Sequence, residues 1–461
     1  MQPNWEGPLT DALERATTYL AGLPERRVGP RATATELHKA LGGELPDGPT
    51  DARDVIAHLA KGVEDGLLPS GSGRFFGFVF GGATPAVLAA DWLTTAWDQN
   101  AGLYAASPAA AVVEEVTTGW LTELFGLPRG TSVGFVTGAQ MANFTALAAA
   151  RHEVLRRVGW DVEHDGLIGA PRIRVLAGAE RHDTIDRALR FLGLGTSCIV
   201  PIDVDDQGRM RVDALTTALQ DGPTIVCAQV GNVNTGAVDP IGEICELAHA
   251  AGAWVHVDGA FGLWAAASNE LKPLLAGIDR ADSWATDAHK WLNVPYDSGL
   301  VLCAHPEPHR AAMSVRASYL IHDEHGERDP LDFNPEFSRR ARAFPVYAGI
   351  RALGRSGIAG IVDQCHAMAR RFADTLAANG VAVLNDVVLN QVLVRFGDDD
   401  GLTRRVVREV QQEGTCWMSG TTWQGNAAMR ISVSNWTTDE SDVDRSAAAV
   451  LRCLAVAQGL G

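Results

Sequence analysis

The sequence lacks any pair of cysteines spaced as CxxC, although it contains seven cysteines. They are Cys198, Cys227, Cys245, Cys303, Cys365, Cys416 and Cys453. Most of them fall in apolar runs, far from one another in the chain. Isolated thiols of this kind are typical of reduced core residues, because disulfides persist mainly in oxidising compartments. We therefore expect a cytoplasmic protein with free thiols.

Basic residues and long apolar runs are also scarce. Lys and Arg together number 39 against 56 Asp and Glu, which gives a net charge of −17. Nucleic-acid binding depends on clustered basic side chains, so we predict no nucleic-acid partner. The N-terminus shows no basic segment followed by an apolar one, and Gly, Pro, Gln or Asn interrupts the uncharged stretches 75–90 and 131–150. We therefore predict no signal peptide and no membrane partner.

The chain of 461 residues exceeds a single hydrophobic core, and its pattern divides into three parts. Residues 1–75 have a mostly helical and rather polar pattern, which suggests an arm. Between 76 and 345, short apolar strands alternate with helices, and this predicts a mostly parallel sheet wrapped by helices. Residues 346–461 have a shorter pattern of helices and strands. We expect them to form a small C-terminal α/β domain.

Two polar clusters follow apolar runs in the middle of the chain. Asp258 ends the β-branched run that contains Val255 and Val257, and Lys290 follows His289 thirty-two residues later. Open α/β sheets bind their ligands at the carboxyl ends of the strands. A lysine beside a histidine is by itself usually a surface residue. Together with Asp258, however, the pair indicates a site.

Asp258 and Lys290 are the two groups that pyridoxal phosphate chemistry needs. A lysine amine forms a Schiff base with the cofactor aldehyde, and a carboxylate that faces the pyridine nitrogen keeps it protonated, so that the ring accepts electrons. Opposite charges about 4 Å apart in an effective dielectric of about 20 attract by about 4 kcal/mol, which corresponds to about three pKa units on the ring nitrogen. An aspartate in this position therefore favours the electron-accepting form of the ring.

Residues 256–260 (HVDGA) and 287–292 (DAHKWL) resemble the two signatures of the group II pyridoxal-phosphate-dependent amino-acid decarboxylases, which include the aromatic-amino-acid and glutamate enzymes. The resemblance runs from about residue 76 to about residue 357, and more weakly to the C-terminus. It implies pyridoxal 5'-phosphate as cofactor and an aspartate-aminotransferase-like α/β fold (fold type I), with a seven-stranded, mostly parallel sheet in the large domain. It also implies a homodimer with the active site near the subunit interface and the 1–75 arm on the partner subunit.

The resemblance also assigns roles to individual residues. Lys290, His182 and Asp258 are the expected catalytic residues, with the imidazole of His182 stacked on the cofactor ring. The expected cofactor contacts are Gly138, Ala139, Gln140, His182, Asn232, Asp258, Ala260, Asp287, His289 and Lys290. Phe78, Phe80 and Asn100 are substrate candidates by the same resemblance, with a place in the core as the alternative for the two aromatic residues. Arg430 is singled out by the sequence itself as a candidate for the substrate carboxylate, with a strand-edge salt bridge as its alternative role. No metal site is expected.

The segment 318–344 is charged, contains prolines and is weakly periodic, which predicts a mobile loop. In the family, a loop here carries a tyrosine that protonates the substrate carbon after carbon dioxide leaves. This chain has no tyrosine between Tyr319 and Tyr347, and Pro330, Leu331, Asp332 and Phe333 stand near the expected place. Phenylalanine in place of that tyrosine is associated with oxidative aldehyde formation. Tyr319, His322 and His325 are alternative acids.

The prediction is therefore a dimeric pyridoxal-phosphate-dependent decarboxylase that converts an L-amino acid into its amine and carbon dioxide. The aromatic residues of 74–80 (RFFGFVF) favour an apolar or aromatic substrate over glutamate. Three alternatives stay open: an oxidative aldehyde synthase, an aminotransferase, and a catalytically silent protein that binds the cofactor.

Overall fold

The computed structural model describes residues 4–315 and 326–459. Its helices are α1 (Glu6–Gly22), α2 (Ala34–Leu41), α3 (Ala52–Val63), α4 (Pro85–Trp97), α5 (Pro108–Phe125), α6 (Ala139–Arg156), α7 (Val162–Asp165), α8 (Asp183–Phe191), α9 (Val212–Ala218), α10 (Ile241–Ala250), α11 (Pro306–Met313), α12 (Ala343–Ala378), α13 (Asp400–Glu413) and α14 (Glu440–Ala457). Its strands are β1 (Ser132–Val136), β2 (Arg174–Gly178), β3 (Ile199–Ile202), β4 (Thr224–Gln229), β5 (Trp254–Asp258), β6 (Ser283–Asp287), β7 (Gly299–Cys303), β8 (Ala382–Val383), β9 (Gln391–Arg395), β10 (Ser419–Trp423) and β11 (Asn426–Ser432).

Seven strands form the large sheet in the order β1-β7-β6-β5-β4-β2-β3. The neighbours from β6 to β3 pair in parallel, whereas β7 runs antiparallel to both β1 and β6. Every residue of β5 and β6 is buried, as expected for parallel strands that helices cover. The predicted α/β fold with a mostly parallel seven-stranded sheet is confirmed.

The carboxyl ends of the central strands meet at one edge of this sheet. Gln229 at the end of β4 is the register partner of Asp258, and Asp258 is the partner of Ala285 in β6. The chain then continues on both strands, and the amide of Asp287 donates a 2.8 Å hydrogen bond to the carbonyl of Ala260. Asp258 and Asp287 therefore end neighbouring strands at the same edge, where open α/β sheets bind ligands.

The C-terminal part carries its own antiparallel sheet, in the order β10-β11-β9-β8. The long α12 leads into it and breaks at Gly354, whose φ of 61° is open to glycine at little cost. The predicted domain boundary at 345/346 falls within the first turn of this helix. At the other end of the chain, α1, α2 and α3 bury none of their residues.

The segment 326–344 differs from the predicted mobile loop. Residues 330–333 form a short 3-10 helix that packs against β1, and Leu331 is buried. Arg339 forms an ion pair with Glu114, and both side chains are buried completely. The prediction was wrong here because the charges of this segment are paired inside the protein. Tyr319, His322 and His325 lie outside the described residues.

Two further findings concern the composition. All seven cysteines are in the described part of the chain, and each is buried with a free thiol, which confirms the prediction of core thiols. Among the helices of residues 4–315 and 326–459, none is both long and apolar enough to cross a membrane. The same residues contain no cluster of three or more His, Cys, Asp or Glu side chains placed to hold a metal ion.

Candidate active site

Lys290 lies in the turn after β6, close to the buried carboxylate of Asp287. Its Nζ is 2.9 Å from Asp287 Oδ2, and Asp287 Oδ1 accepts a 2.6 Å hydrogen bond from the amide of Ala139 at the start of α6. His289 Nε2 lies 3.4 Å from the same Oδ1. Burial acts to raise the pKa of Asp287, but Lys290 and His289 outweigh it and hold that pKa well below its usual range. Asp287 is thus an anion that fixes the Lys290 amine beside α6.

Asp258 ends β5 with only 5% of its surface exposed. Its Oδ1 accepts a hydrogen bond of 3.2 Å from the amide of Ala260, and its Oδ2 accepts one of 3.1 Å from Asn143 Nδ2. Asn143 lies on α6, the helix whose first residue contacts Asp287. One helix end therefore contacts both Asp258 and the carboxylate that holds Lys290, which brings the two predicted catalytic residues into one site.

His182 precedes α8 and joins the same group. Its Nδ1 is 3.0 Å from Thr184 Oγ1 and accepts a 3.2 Å hydrogen bond from the amide of Thr184. Thr184 Oγ1 in turn accepts a 3.1 Å hydrogen bond from Asn143 Nδ2. Asn143 thus connects His182 with Asp258.

The start of α6 is a suitable place for a phosphate group, because first-turn amides have no partner within a helix. A Cβ atom on Gly138 would lie 3.2 Å from His289 Cε1, so a larger residue would crowd this turn. Close by, the amide of Ser298 donates a 3.3 Å hydrogen bond to His289 Nδ1. The Ser298 hydroxyl is buried and has no hydrogen-bond partner within the described residues. Such an orphaned donor is typical of a binding site.

Two other predicted cofactor contacts have side chains that are already engaged. Gln140 Nε2 donates a 3.3 Å hydrogen bond to the carbonyl of Thr184. Asn232 Nδ2 donates to the Glu180 carbonyl at 3.0 Å and to Gln229 Oε1 at 3.1 Å, and its Oδ1 accepts two amides of the turn that follows. The side chain of Asn232 closes its own loop, and its contact with the cofactor stays a prediction.

A chain of ring contacts joins Phe78 and Phe80 to the site. Phe80 lies 5.4 Å from Phe78 and 5.4 Å from Tyr296, measured between ring centroids. Tyr296 stacks on His289 at 4.2 Å, and Phe78 also contacts Trp417 at 5.1 Å. The aromatic cluster therefore begins at the small domain and ends at the residue next to Lys290.

The backbone of the same segment touches the lysine turn. A Cβ atom on Gly81 would overlap the carbonyl oxygen of Lys290, so only glycine permits this approach. The amide of Gly82 donates a 2.6 Å hydrogen bond to Asn293 Oδ1. These contacts explain why the Gly-Gly pair follows the aromatic run, and they place Phe80 near the predicted cofactor lysine.

Arg430 lies on β11 with 9% of its surface exposed. Burial lowers its pKa to about 10. Its Nε has no hydrogen-bond partner among the described residues, and burial is the only influence on its pKa there, with no contribution from a carboxylate. Its register partner Ser419 also has a buried hydroxyl without a partner, two residues beyond Trp417 of the aromatic cluster. The strand-edge salt bridge considered for Arg430 is not found among these residues.

Asn100 lies elsewhere. It forms an isolated bridge with Arg340, and its Oδ1 accepts a 3.2 Å hydrogen bond from the amide of Arg339. Arg339 donates to the carbonyl of Phe135 in β1, the edge strand of the large sheet. Within the described residues, no recorded contact joins Asn100 to the aromatic cluster or to Arg430.

Sequence reasoning missed Asn143 and Ser298. Asn143 stands in the Ala-rich helix 139–150, where a polar residue four positions after the first helical residue shares its face. That spacing was the available signal. Ser298 follows the lysine motif by eight residues and gave no signal, because its place beside His289 depends on the antiparallel return of β7.

These groups fit pyridoxal phosphate. The α6 amides and the orphaned Ser298 hydroxyl suit a phosphate, and the buried Asp258 suits a protonated ring nitrogen. Lys290 would supply the amine for the aldehyde, and His182 would supply a flat ring. Fold and site together define a pyridoxal-phosphate enzyme of fold type I.

The conserved domain of the pyridoxal-dependent decarboxylases matches residues 35–396, and the chain belongs to this family. An aromatic-L-amino-acid decarboxylase of Bacillus atrophaeus is 26% identical over 93% of this chain and 91% of its own length. The acidic amino acid decarboxylase GADL1 of Mus musculus is 31% identical over 74% of this chain and 63% of its own length. The prediction of a pyridoxal-phosphate-dependent amino-acid decarboxylase is confirmed.

A solved structure gives an independent comparison of the fold. The 4-hydroxyphenylacetaldehyde synthase of Rhodiola rosea superposes with a TM-score of 0.87 and 24% identity, over 96% of each chain. At this identity the match concerns the fold, which agrees with the sheet described above.

Proposed function

We propose that this enzyme decarboxylates an L-amino acid with an apolar or aromatic side chain to the corresponding amine. The observation that carries the proposal is the placement of Lys290 and Asp258 around the same end of α6. A structural role alone gives no reason for a buried carboxylate and a lysine to converge beside the N-terminus of α6. The aromatic cluster favours a substrate with an apolar or aromatic side chain.

The proposed roles follow from the chemistry of each side chain. Pyridoxal phosphate, when bound, accepts the electrons that remain when the bond between Cα and the carboxylate breaks. Asp258 is the group that holds a proton at the ring nitrogen. Lys290 would hold the cofactor through its aldehyde and supply the amine that releases the product. His182 would offer a flat ring to the cofactor and a hydrogen-bond donor to the substrate.

Arg430 is the proposed anchor for the substrate carboxylate. It is a buried cation without a carboxylate partner among the described residues. The neighbouring Ser419 hydroxyl is also buried and has no hydrogen-bond partner there. A planar guanidinium binds a carboxylate through two parallel hydrogen bonds. The aromatic cluster of Phe78, Phe80 and Trp417 lies on the neighbouring segment and offers an apolar surface to the side chain. A relative that acts on aromatic amino acids supports this choice, whereas an acidic amino acid decarboxylase among the relatives supports the alternative.

The function is tested by a screen of the common L-amino acids and cysteine sulfinate with the purified holoenzyme. Carbon dioxide, amine, aldehyde, keto acid and hydrogen peroxide are measured in the same reactions. We expect one equivalent of carbon dioxide and one of amine, with the highest kcat/KM for an aromatic amino acid. Activity confined to glutamate, aspartate or cysteine sulfinate would contradict the proposed substrate class, and keto acid without carbon dioxide would indicate an aminotransferase.

Oxidative aldehyde formation is the second candidate. The observation that favours it is the sequence around 330–333, where Phe333 packs against His309 and Arg328 and no tyrosine is present. A solved aldehyde synthase with the same fold adds to it. In this case the reactions consume dioxygen and yield aldehyde, ammonia and peroxide. The amount of amine formed is then smaller than the amount of aldehyde.

We propose a homodimer as the working form. Three helices, α1 to α3, bury none of their residues; α1 exposes Leu9 and Leu13, and Trp5 just before it is exposed as well. A helix needs to bury its apolar face, and a second subunit would cover this one. Sedimentation of the purified protein is expected to give twice the chain mass of 49.1 kDa. A monomer at micromolar concentration would contradict the proposal.

We also propose a cytoplasmic location. Seven free, buried thiols support it, because an oxidising compartment selects for paired cysteines. Fractionation of the source cells tests this assignment, and recovery outside the cytoplasm would contradict it.

A further inference from the structure

A buried chain of hydrogen bonds ends at Asp258. The indole Nε1 of Trp254 lies 2.9 Å from Ser283 Oγ, which lies 3.0 Å from His256 Nδ1. His256 Nε2 is 2.9 Å from Asn143 Oδ1, and Asn143 Nδ2 is 3.1 Å from Asp258 Oδ2. Trp254, Ser283, His256 and Asn143 are completely buried. None of the four has a role in the function proposed above.

The two ends of the chain together fix its direction. An indole N–H can only donate and an ionised carboxylate can only accept, so Asn143 turns its Nδ2 to Asp258 and its Oδ1 to His256 Nε2, and the Ser283 hydrogen is left for His256 Nδ1. His256 then carries its single proton on Nε2 and donates it to Asn143 Oδ1. Burial lowers the pKa of His256 to about 4, which agrees with a neutral ring. The amide nitrogen of Asn143 consequently faces the Asp258 carboxylate.

The same amide nitrogen fixes a second group. Asn143 Nδ2 has two hydrogens, and the other one reaches Thr184 Oγ1 at 3.1 Å. Thr184 Oγ1 is therefore an acceptor there, and its own hydrogen goes to His182 Nδ1 at 3.0 Å. The backbone amide of Thr184 also donates to this Nδ1 at 3.2 Å. The proton of a neutral His182 is thereby placed on Nε2.

We propose that Asn143 is a positioning residue that couples the two catalytic side chains of this site: its amide keeps Asp258 as a hydrogen-bond acceptor and, through Thr184, keeps the proton of His182 on Nε2. The inference rests on the proposed function, since Asp258 and His182 matter to catalysis only as cofactor-facing groups. It adds to that function the direction of the hydrogen bond that His182 makes. The Nε2–H of His182 is a donor, and it suits an anionic oxygen of the substrate.

Asn143→Asp is the most informative variant. Aspartate has nearly the same volume and keeps an oxygen for His256, but it replaces the donor that faces Asp258 with an acceptor. Two carboxylates at this distance do not both stay ionised, and the pair takes up a proton. The titratable groups bonded to Asn143 are Asp258 and His256 from β5, while His182 is reached through Thr184 and the thiol of Cys227 from β4 lies near Asp258.

The test is the equilibrium dissociation constant of pyridoxal phosphate, titrated by absorbance into full-length protein between pH 5.5 and 8.5. We expect Asn143→Asp to bind about tenfold more weakly than the wild type at pH 8.5, because a charged hydrogen bond to Asp258 is lost. The ratio should approach one as the pH falls, since a protonated Asp at this position again donates to Asp258. Thr145→Val is the matched control, because Thr145 is equally buried on α6 and bonds only to the Met141 carbonyl of its own helix.

A second pair of variants decides the matter if Asn143→Asp does not fold. Thr184→Val removes the hydroxyl between Asn143 and His182, whereas Thr184→Ser retains it. We expect the valine variant to release the cofactor about fivefold faster than the serine variant, because it lacks about one hydrogen bond that the serine variant keeps. Equal affinities of wild type and Asn143→Asp at every pH, or equal release from both Thr184 variants, would overturn the inference. Failure of the wild type itself to bind the cofactor would instead refute the proposed function.

Discussion

Around Asp258 the polar side chains are joined in a continuous set of hydrogen bonds, whereas around Arg430 the structure leaves buried polar atoms without partners among the described residues. The first region contains strand ends of the large sheet and one helix. The second contains the small-domain strand β11 and the aromatic cluster. The difference indicates that the fold by itself completes the hydrogen bonds around Asp258. The substrate side is completed by something else, of which a substrate carboxylate is the simplest candidate.

The comparison predicts the largest loss at the cofactor side. Asp258→Asn removes a buried charge while keeping the size of the side chain, and an ionic contact there is worth about 4 kcal/mol at an effective dielectric of about 20. We expect kcat to fall about 1000-fold, as each 1.36 kcal/mol is a factor of ten. Steady-state kinetics on saturated holoenzyme checks this value. A loss of less than about tenfold would mean that Asp258 does not face the ring nitrogen.

A smaller and different loss is expected at the substrate side. Arg430→Met keeps much of the buried volume but removes the guanidinium, and a charge-assisted contact contributes about 1.5–3 kcal/mol. We expect kcat/KM to fall about 10- to 100-fold, while the visible absorbance of the bound cofactor stays unchanged. Unchanged kcat/KM in a folded variant would show that Arg430 does not hold the substrate.

A third effect, on stability and not on the reaction rate, concerns the neutral His256 in the hydrogen-bond chain. Its pKa in the folded protein is about 4 against 6.5 for a free histidine, so the unfolded chain binds one more proton between these pH values. The stability that this burial provides is complete above pH 6.5 and declines as the pH falls towards 4, by about 3 kcal/mol at most. His256→Gln keeps a side-chain N–H and should remove this decline. Denaturant midpoints measured from pH 4.5 to 7.5 test it, and parallel curves for both proteins would contradict it.

The sequence was informative where function depends on residues next to each other in the chain. Asp258 at the end of an apolar run and Lys290 after His289 are local patterns, so their strands and their convergence at one sheet edge could be predicted. Asn143 could not be assigned a role, because it depends on which face of α6 meets β5. Asn232 was expected at the cofactor, but its amide holds its own loop, and no local pattern distinguishes these two uses.

The loop prediction failed for the same physical reason. The charges in 326–344 suggested solvent, yet Arg328 and Arg339 both pair with the buried Glu114, which lies more than 200 positions earlier in the chain. Long-range pairing of this kind is invisible to local composition.

The central claim is that Lys290 and Asp258 serve one pyridoxal phosphate, and covalent trapping tests it most directly. The chain has four lysines, of which Lys39, Lys61 and Lys272 are exposed and Lys290 is largely buried. Borohydride reduction of the holoenzyme followed by peptide mass spectrometry should place the cofactor on Lys290 at one equivalent per chain, and Lys290→Ala should lose both the label and the visible absorbance band. A label on another lysine, or an unchanged band in Lys290→Ala, would contradict the account.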